Sequence, residues 1–338
     1  MAPRAFISGL SGLTLTADER AFLREAWPWG LILFKRNIQD KNQVIDLIRE
    51  ALHELGGATP VLVDQEGGRV QRLGPPVWPV YPPGVAYGRI YDRDPDAGLA
   101  AARLGARLIA ADLVELGINV DCLPLADVPV AGADRVIGDR AYGETPAKVA
   151  AIAGAVAAGL ADGGVLPVLK HIPGHGRANA DSHLKLPVVH ADRATLEATD
   201  FAAFRPLKRL PLAMTAHVVF TAIDPVRPAT TSATMIGEVI RGLIGFGGLL
   251  MGDDISMGAL SGSIAERSRA SLAAGCDLVL HCNGKMDEMR AVAAEAPELA
   301  GETKRRADAA LAVRKSPSGI DLAAARREFA AMMTERLA

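Results

Sequence analysis

The sequence has few aromatic residues, few cysteines and no long apolar run. Aromatic residues make up 4% of the 338 residues, so the core must be built mainly from Ala, Leu, Val and Ile. No stretch approaches the ~18 consecutive apolar residues of a membrane-spanning helix, and the N-terminal segment has too short an apolar run for a secretory signal. The three cysteines, Cys122, Cys276 and Cys282, fit neither a disulfide framework nor a zinc pattern. A cytoplasmic location is therefore expected.

An excess of positive charge is also lacking. Lys and Arg total 37, Asp and Glu total 39, and the formal net charge is -2. Such a balance offers no basic surplus to neutralise a nucleic-acid backbone. Hydrophobic residues make up 49% of the chain, which is enough for a sizeable core. We expect a monomer that acts on a small molecule and binds neither nucleic acid nor membranes.

What is present is an alternation of short apolar runs with longer helical patterns. Eight such units predict an α/β protein with a (β/α)₈ TIM-type barrel, in a single domain over residues 1–338. The predicted strands are residues 5–8, 30–34, 60–63, 120–123, 166–169, 212–215, 248–251 and 277–281. The predicted helices are residues 17–26, 42–55, 96–116, 146–161, 193–204, 232–243, 263–274 and 285–296. Residues 73–95, rich in Pro and Gly, are expected to form a surface loop, and the tail after residue 301 to add helices.

Polar residues cluster directly after four of the predicted strands. The clusters are DQEGGR (64–69), KHIPGHG (170–176), AHV (216–218) and DD (253–254). In a barrel these positions form the C-terminal face, where active sites of this fold lie. Turn chemistry alone would explain any one cluster, but four at the same end of the strands favour a site.

The densest cluster is residues 170–183, which contain three of the seven histidines. Asp181 lies two residues before His183, so its carboxylate can hold the imidazole and favour the protonated ring. A histidine held in this way can donate a proton to a leaving oxygen and later take one from water. An ordinary ion pair in a loop is the alternative. His171, His175 and His183 follow no helical zinc spacing, and Pro173 excludes a helix there, so neither a metal nor a cofactor is expected.

A polar pocket is predicted near the end of the fifth strand. Lys170 and His171 end that strand, which aims at least one of them into the barrel mouth. Together with Asp64, Arg72 and Arg140 they would form a wall for a ligand with many hydroxyls, since each hydroxyl can both donate and accept. Taken singly, Lys170 and His171 could equally be capping or buried structural groups.

Two adjacent carboxylates, Asp253 and Asp254, follow the apolar run GGLLM. Because neighbouring strand residues point to opposite faces, only one of the two is expected to face the site. A carboxylate at this position can attack the anomeric carbon of a sugar and form a covalent glycosyl intermediate. The alternative is an aspartate that caps a helix beginning near Ile255.

Five segments together resemble glycoside hydrolase family 3, and within it the single-domain β-N-acetylhexosaminidases of bacterial peptidoglycan recycling. The segments are GLILFKRNI (30–38), VDQEGGRVQRL (63–73), VIGDRAYG (136–143), KHIPGHG…DSHLKLP (170–187) and MGDDISMGA (251–259). They follow the order of the family over nearly the whole predicted barrel.

The resemblance implies a role for each candidate residue. Asp253 would be the nucleophile, and His183 the general acid/base, assisted by Asp181. The residues that would bind the terminal sugar are Asp64, Arg72, Arg140, Lys170 and His171. The implied reaction is a retaining hydrolysis. It would release N-acetylglucosamine that is β-1,4-linked to anhydro-N-acetylmuramic acid in muropeptides.

The chain departs from the family pattern at one position next to the proposed nucleophile. The family usually has Ser or Thr there, whereas this chain has Gly252. Most retaining glycosidases pair two carboxylates, and the use of a histidine is a feature of this subfamily. Three other interpretations are open: a family member with another sugar specificity or with phosphate as acceptor, a sugar-binding barrel without turnover, and a metal-dependent hydrolase.

Overall fold

The computed structural model describes residues 2–337, with side chains through residue 334, and it contains one parallel eight-stranded sheet. The strands are β1 (Arg4–Gly9), β2 (Pro28–Leu33), β3 (Val61–Val63), β4 (Val120–Asp121), β5 (Leu166–Ile172), β6 (Leu212–Thr215), β7 (Leu249–Met251) and β8 (Val279–His281). They pair in the order β7-β6-β5-β4-β3-β2-β1-β8. A parallel bridge between Met251 and Leu278 joins the two ends of this order. The predicted (β/α)₈ barrel is confirmed.

Helices connect successive strands and cover the outside of the barrel. They are α1 (Ala17–Ala26), α2 (Lys41–Glu54), α3 (Gly84–Arg93), α4 (Pro95–Glu115), α5 (Pro146–Asp162), α6 (Arg193–Ala198), α7 (Ile264–Ala274), α8 (Met286–Glu295), α9 (Gly301–Ala312) and α10 (Leu322–Leu337). Local signals fix several starts: Thr16 before α1 and Ser263 before α7 each form a capping box with the glutamate three residues later. No helix among residues 2–337 is long and apolar enough to cross a membrane.

The core has two layers because the sheet is buried on both faces. Alternate strand residues such as Ile7, Leu62 and Val168 fill the barrel interior. Their neighbours, such as Phe6 and Leu169, pack outward against the helices. Strands buried on both faces read as nearly continuous apolar runs, which is why the sequence locates all eight within a few residues.

The prediction of a surface loop over residues 73–95 is wrong in its second half. Residues 84–93 form α3, which buries Tyr87 and Ile90. The glycines there allow close packing: a Cβ on Gly84 would overlap the carbonyl oxygen of Arg140, and one on Gly88 that of Tyr142. Glycine therefore marks close approach of a helix at these positions, where the sequence had suggested a turn.

Two predicted helices have a different form. The helix predicted over residues 193–204 ends at Ala198, and two short 3₁₀ turns follow it, at Phe201–Ala203 and Arg205–Leu207. The helix predicted over residues 232–243 is a π-helix over Met235–Leu243. Neither difference moves a strand, so the C-terminal face is built as expected.

Candidate active site

One cavity of about 450 Å³ opens at the C-terminal ends of the strands. It is bordered by all eight residues that the sequence predicts for the site: Asp64, Arg72, Arg140, Lys170, His171, Asp181, His183 and Asp253. They come from β5 and from the connections after β3, β4, β5 and β7, as the topology of a barrel requires.

Five charged side chains form a connected group on one side of the cavity, which we call the ion-pair wall: Asp64, Glu66, Arg72, Arg140 and Lys170. Nζ of Lys170 lies 3.0 Å from Oδ1 of Asp64 and 2.6 Å from Oε1 of Glu66. Nη2 of Arg72 donates to the other Asp64 oxygen at 2.9 Å. Nε and Nη2 of Arg140 donate to the two Glu66 oxygens at 2.8 Å each. Every carboxylate in the wall therefore faces two cations.

Charge pairing outweighs burial in setting the pKa values of Asp64, Glu66 and Lys170. Burial raises the pKa of the Asp64 carboxyl, but the charges of Lys170 and Arg72 lower it by more than burial raises it. The pKa of Asp64 therefore lies well below its usual range. For Glu66, burial again raises the pKa and the cations of Lys170 and Arg140 reverse the shift. Burial lowers the pKa of Lys170, and the two carboxylates raise it above its ordinary value. All three groups are charged at neutral pH, and the wall presents fixed donors and acceptors to a ligand.

Glu66 is a site residue that the sequence analysis missed. It lies in a short antiparallel hairpin made by Gln65–Gly67 and Val70–Gln71, and its side chain is only 4% exposed. The glutamate of the DQEGG segment could have been suspected, since an acid buried beside glycines needs a partner. Its partners, Arg140 and Lys170, are distant in sequence, so no local pattern identifies them.

An aromatic ring supports the outer part of the wall. The guanidinium carbons of Arg72 and Arg36 each lie 5.1 Å from the ring centre of Phe34. This geometry is that of a cation–π contact. Phe34 and Arg36 both border the cavity. They belong to the segment 30–38 quoted above, but their contact with Arg72 is visible only in the structure.

A second buried carboxylate, Asp127, holds two histidines of the site. Oδ2 of Asp127 accepts from Nδ1 of His171 at 2.7 Å, and Oδ1 accepts from the backbone N–H of His175 at 2.6 Å. Burial raises the pKa of Asp127, but His171, followed by His175, holds it below the usual range. The contact at Nδ1 leaves Nε2 of His171 directed away from Asp127. Asp127 was also missed by the sequence analysis.

The histidine predicted to transfer protons lies in the connection after β5, residues 173–187, which we call the His183 loop. Nδ1 of His183 donates to Oδ1 of Asp181 at 2.8 Å, and the backbone N–H of His183 donates to the same oxygen at 2.9 Å. The side chains of His183 and Asp181 are 65% and 32% exposed. The predicted contact between the two residues is therefore present, and it faces water on one side and the cavity on the other.

The two adjacent aspartates lie beyond the end of β7, in residues 252–263, which we call the Asp253 loop. Because β7 ends at Met251, strand alternation does not distinguish the two aspartates, and both residues border the cavity. They differ in their hydrogen bonds. Asp254 accepts from the backbone N–H groups of Ser256 and Cys282 and from the Ser256 hydroxyl. Within residues 2–337, the Asp253 carboxylate accepts only from the N–H of Asp254, at 2.8 Å.

The electrostatic surroundings of Asp253 favour the ionised form. Burial raises the pKa of Asp253, but nearby His217 and His171, the N–H of Asp254, and His183 together hold it below the usual range. An unprotonated carboxylate with few hydrogen bonds is available to react.

Gly252, the departure from the family pattern, lies in a confined space. A Cβ placed on it would lie 3.0 Å from Cγ2 of Thr230 and 3.3 Å from Oγ of Ser271. A larger residue would require Thr230 to shift. The glycine therefore suits the threonine beside it.

Comparison with known proteins gives one consistent family. The model of the glycosyl hydrolase family 3 N-terminal domain matches residues 10–313. A β-hexosaminidase of Alkalilimnicola ehrlichii is 43% identical over 281 residues, which is 81% of this chain and 79% of that protein. A β-hexosaminidase of Aromatoleum aromaticum is 37% identical over 317 residues, which is 92% of this chain and 87% of that protein.

Solved structures agree with these sequence relatives. The structure of NagZ from Neisseria gonorrhoeae in complex with N-trifluoroacetyl-D-glucosamine has a TM-score of 0.88 at 31% identity, and the match covers 99% of both chains. A family 3 β-N-acetylglucosaminidase from Paenibacillus has a TM-score of 0.85 at 28% identity, covering 97% of this chain and 67% of that one. The chain belongs to glycosyl hydrolase family 3, and it is a glycoside hydrolase of the β-N-acetylhexosaminidase type.

Proposed function

We propose that this enzyme is a retaining β-N-acetylglucosaminidase of peptidoglycan recycling. Its substrate would be N-acetylglucosamine β-1,4-linked to anhydro-N-acetylmuramic acid, with or without an attached peptide. The observation that carries the proposal is the arrangement of three groups around one cavity. These are the ion-pair wall, an ionised carboxylate at Asp253 with one hydrogen bond, and the Asp181–His183 pair.

In the proposed first step, a carboxylate oxygen of Asp253 attacks C1 of the sugar while the bond from C1 to the leaving oxygen breaks. His183 donates its Nε2 proton to that oxygen, and Asp181 stabilises the ring through Nδ1. In the second step, a water oxygen attacks C1, His183 takes a proton from that water, and the bond from C1 to Asp253 breaks. Two displacements at C1 retain its configuration.

The ion-pair wall and His171 are assigned to the binding of the terminal sugar. Their donors and acceptors are held in place before the ligand arrives, so little ordering is needed on binding. The solved relative from Neisseria, with its complex of N-trifluoroacetyl-D-glucosamine, supports an N-acylated glucosamine as the sugar. The resemblance of the motif set to the peptidoglycan-recycling branch supports the muropeptide.

The residue roles are tested by trapping the intermediate. A fluorinated N-acetylglucosaminyl fluoride should label the wild-type enzyme, and peptide mass spectrometry should find the sugar on Asp253. Asp253→Asn should abolish labelling and lower kcat/KM by at least about 10⁴-fold, since a nucleophile is removed. Asp254→Asn is the matched control and should still be labelled. A label on Asp254 would overturn the assignment.

The substrate is tested by comparing disaccharides. Release of N-acetylglucosamine from the anhydro-N-acetylmuramic acid disaccharide, with and without a peptide, is measured against release from chitobiose. Proton NMR of the first product should show the β-anomer. A strong preference for chitobiose would replace the proposed substrate while leaving the mechanism intact, and an α-product would overturn the mechanism.

We also propose that the enzyme acts in the cytoplasm as a monomer that uses no metal ion or other cofactor. Cys122, Cys276 and Cys282 are buried as free thiols, which suits a reducing compartment. Fractionation of the native host and light scattering of the purified enzyme test location and oligomeric state. Activity retained after treatment with a chelator tests the absence of a metal.

A further inference from the structure

We infer that a backbone contact between the Asp253 loop and the His183 loop sets the position of the proton donor relative to the nucleophile, with Gly258 as the positioning residue. This inference rests on the proposed function. Two hydrogen bonds form the contact. The N–H of Gly258 donates to the carbonyl of His183 at 3.2 Å, and the N–H of Ala259 donates to the carbonyl of Ser182 at 3.1 Å.

The contact requires glycine at position 258. A Cβ there would lie 2.8 Å from the carbonyl oxygen of His183 and 2.9 Å from that of Leu184. Both atoms are backbone, so no side-chain rotation can relieve the overlap, and the His183 loop would have to move. Gly258 is exposed to solvent, which means that its small size serves this approach and not the packing of the core.

The side of the contact that carries Asp253 is held by several hydrogen bonds. The carbonyl of Asp254 accepts from Nε2 of His217 at 3.0 Å and from the N–H of Met257 at 3.1 Å. The Asp254 carboxylate accepts from Ser256 and Cys282 as described above. Only four residues lie between Asp253 and Gly258, and among them the N–H of Ile255 donates to the carbonyl of Leu280 in β8 at 2.8 Å. Asp254 thus shapes the turn that presents Gly258.

On the side that carries His183, the neighbouring residue Ser182 is also anchored. Oγ of Ser182 lies 2.9 Å from Nε2 of His175, and both residues are buried. Burial lowers the pKa of His175 to about 4, so the ring is neutral at pH 7 and bonds the hydroxyl without bringing a charge. Ser182 stands between Asp181 and His183, so the bonds to His175 and Gly258 both act on the stretch that carries this pair. The His183 ring and the Asp181 carboxylate are partly exposed, so their own packing constrains them little.

Loss of the contact between the two loops is expected to affect proton transfer more than folding or substrate binding. A displacement of about 1 Å in a reacting group can cost on the order of 10²-fold in rate. A shift of the His183 loop moves the proton donor but leaves Asp253 and the ion-pair wall in place. Loss of the contact should therefore impair substrates that need protonation of the leaving oxygen and spare those that do not.

The test compares two aryl N-acetylglucosaminides in Gly258→Ala. The phenyl glycoside needs acid assistance, and the 2,4-dinitrophenyl glycoside does not. We expect kcat/KM for the phenyl glycoside to fall about 10²-fold and kcat/KM for the dinitrophenyl glycoside to stay at the wild-type value. Attack by water in the second step needs His183 as a base, so kcat on the dinitrophenyl glycoside should fall in Gly258→Ala. Added azide needs no general base and should restore this kcat.

Gly247→Ala is the matched control, because Gly247 lies at the opposite end of β7 and a Cβ there meets nothing within 4 Å. It should leave both activities unchanged. If Gly258→Ala does not fold, Ser182→Ala replaces it, because this change removes the hydrogen bond to His175. In Ser182→Ala, kcat/KM should fall about tenfold for the phenyl glycoside and stay unchanged for the dinitrophenyl glycoside. Equal losses on both glycosides, or no loss on either, would overturn the inference.

His183→Ala separates this inference from the proposed function. If that variant loses the phenyl glycoside selectively and Gly258→Ala does not, the positioning role is wrong and the proton-transfer role stands. If His183→Ala itself shows no selectivity between the two glycosides, the proposed role of His183 is wrong, whatever the Gly258 result.

Discussion

The ion-pair wall and the His183 loop lie on the same cavity and are built in opposite ways. In the wall, Lys170 is 2% exposed and Glu66 is 4% exposed, and each has more than one charged partner. In the loop, His183 is 65% exposed and has one charged partner, Asp181. A group that binds a fixed part of the ligand gains from being immobile and desolvated. In the proposed mechanism His183 exchanges protons with a leaving oxygen and then with water, and a group at the edge of the cavity can reach both.

The largest expected effect comes from the loop. His183→Ala should lower kcat/KM on substrates with poor leaving groups by about 10²–10⁴-fold, the usual share of a general acid. Its unfolding free energy should change by no more than about 0.5 kcal/mol, because the side chain is mostly exposed. Kinetics and urea unfolding measure the two. His190→Ala, another exposed histidine nearby, should change neither, and a stability loss above about 2 kcal/mol in His183→Ala would show that the loop is structural.

The next effect comes from the wall. Lys170→Met should lower the unfolding free energy by about 3–5 kcal/mol, since it leaves the buried Glu66 and the partly buried Asp64 without their shared cation. Urea denaturation measures this, and weaker sugar binding should accompany it. Lys148→Met is the control: Lys148 pairs with the exposed Asp92 at 2.7 Å, a surface pair that contributes about 0–1 kcal/mol. Equal losses of unfolding free energy in Lys170→Met and Lys148→Met would show that the ion-pair wall is no more stabilising than a surface ion pair.

A smaller effect is expected from changing the paired hydrogen bonds between Arg140 and Glu66. Arg140→Lys keeps the positive charge but cannot make both of the 2.8 Å bonds. We expect a loss of about 1–2 kcal/mol in unfolding free energy and a raised KM with little change in kcat. Arg103→Lys, which alters the exposed pair with Asp162, is the control. A fall in kcat at unchanged KM would mean that Arg140 acts on the transition state.

The smallest effect concerns pH. The pKa values of Asp64 and Glu66 are lower in the folded protein than in the unfolded chain. Their stabilisation is therefore complete well above the unfolded pKa values of about 3.9 and 4.3, and it declines as the pH falls toward the folded values. Between pH 7 and pH 4 the wall should lose about 1 kcal/mol of unfolding free energy. Glu66→Gln should flatten this dependence, and an unchanged slope would contradict the assignment.

Much of the barrel follows from local pattern. The first part of β5, residues 166–169, reads as one apolar run because both faces of the strand are buried. The helix at residues 84–93 was missed because Gly84 and Gly88 read as turn residues. Their role becomes visible only when the carbonyls of Arg140 and Tyr142 lie against them. Short-range periodicity reports which face of an element is buried and not what approaches it.

The same division applies within the site. The topology of parallel strands brings Asp64, Lys170 and Asp253 to one end, so their convergence could be predicted. The distinction between Asp253 and Asp254 could not, because the strand ends at Met251 and the hydrogen bonds of Ser256 and Cys282 decide which carboxylate is engaged.

The sequence by itself determined the barrel, the location of the site and the chemical groups present, because these depend on residue type and on spacing along one element. Tertiary structure decided how the groups are paired. Glu66 lies 74 residues from Arg140, and Gly258 meets His183 from another loop. Such contacts depend on the angle and distance between elements, and these are set by packing of the whole core.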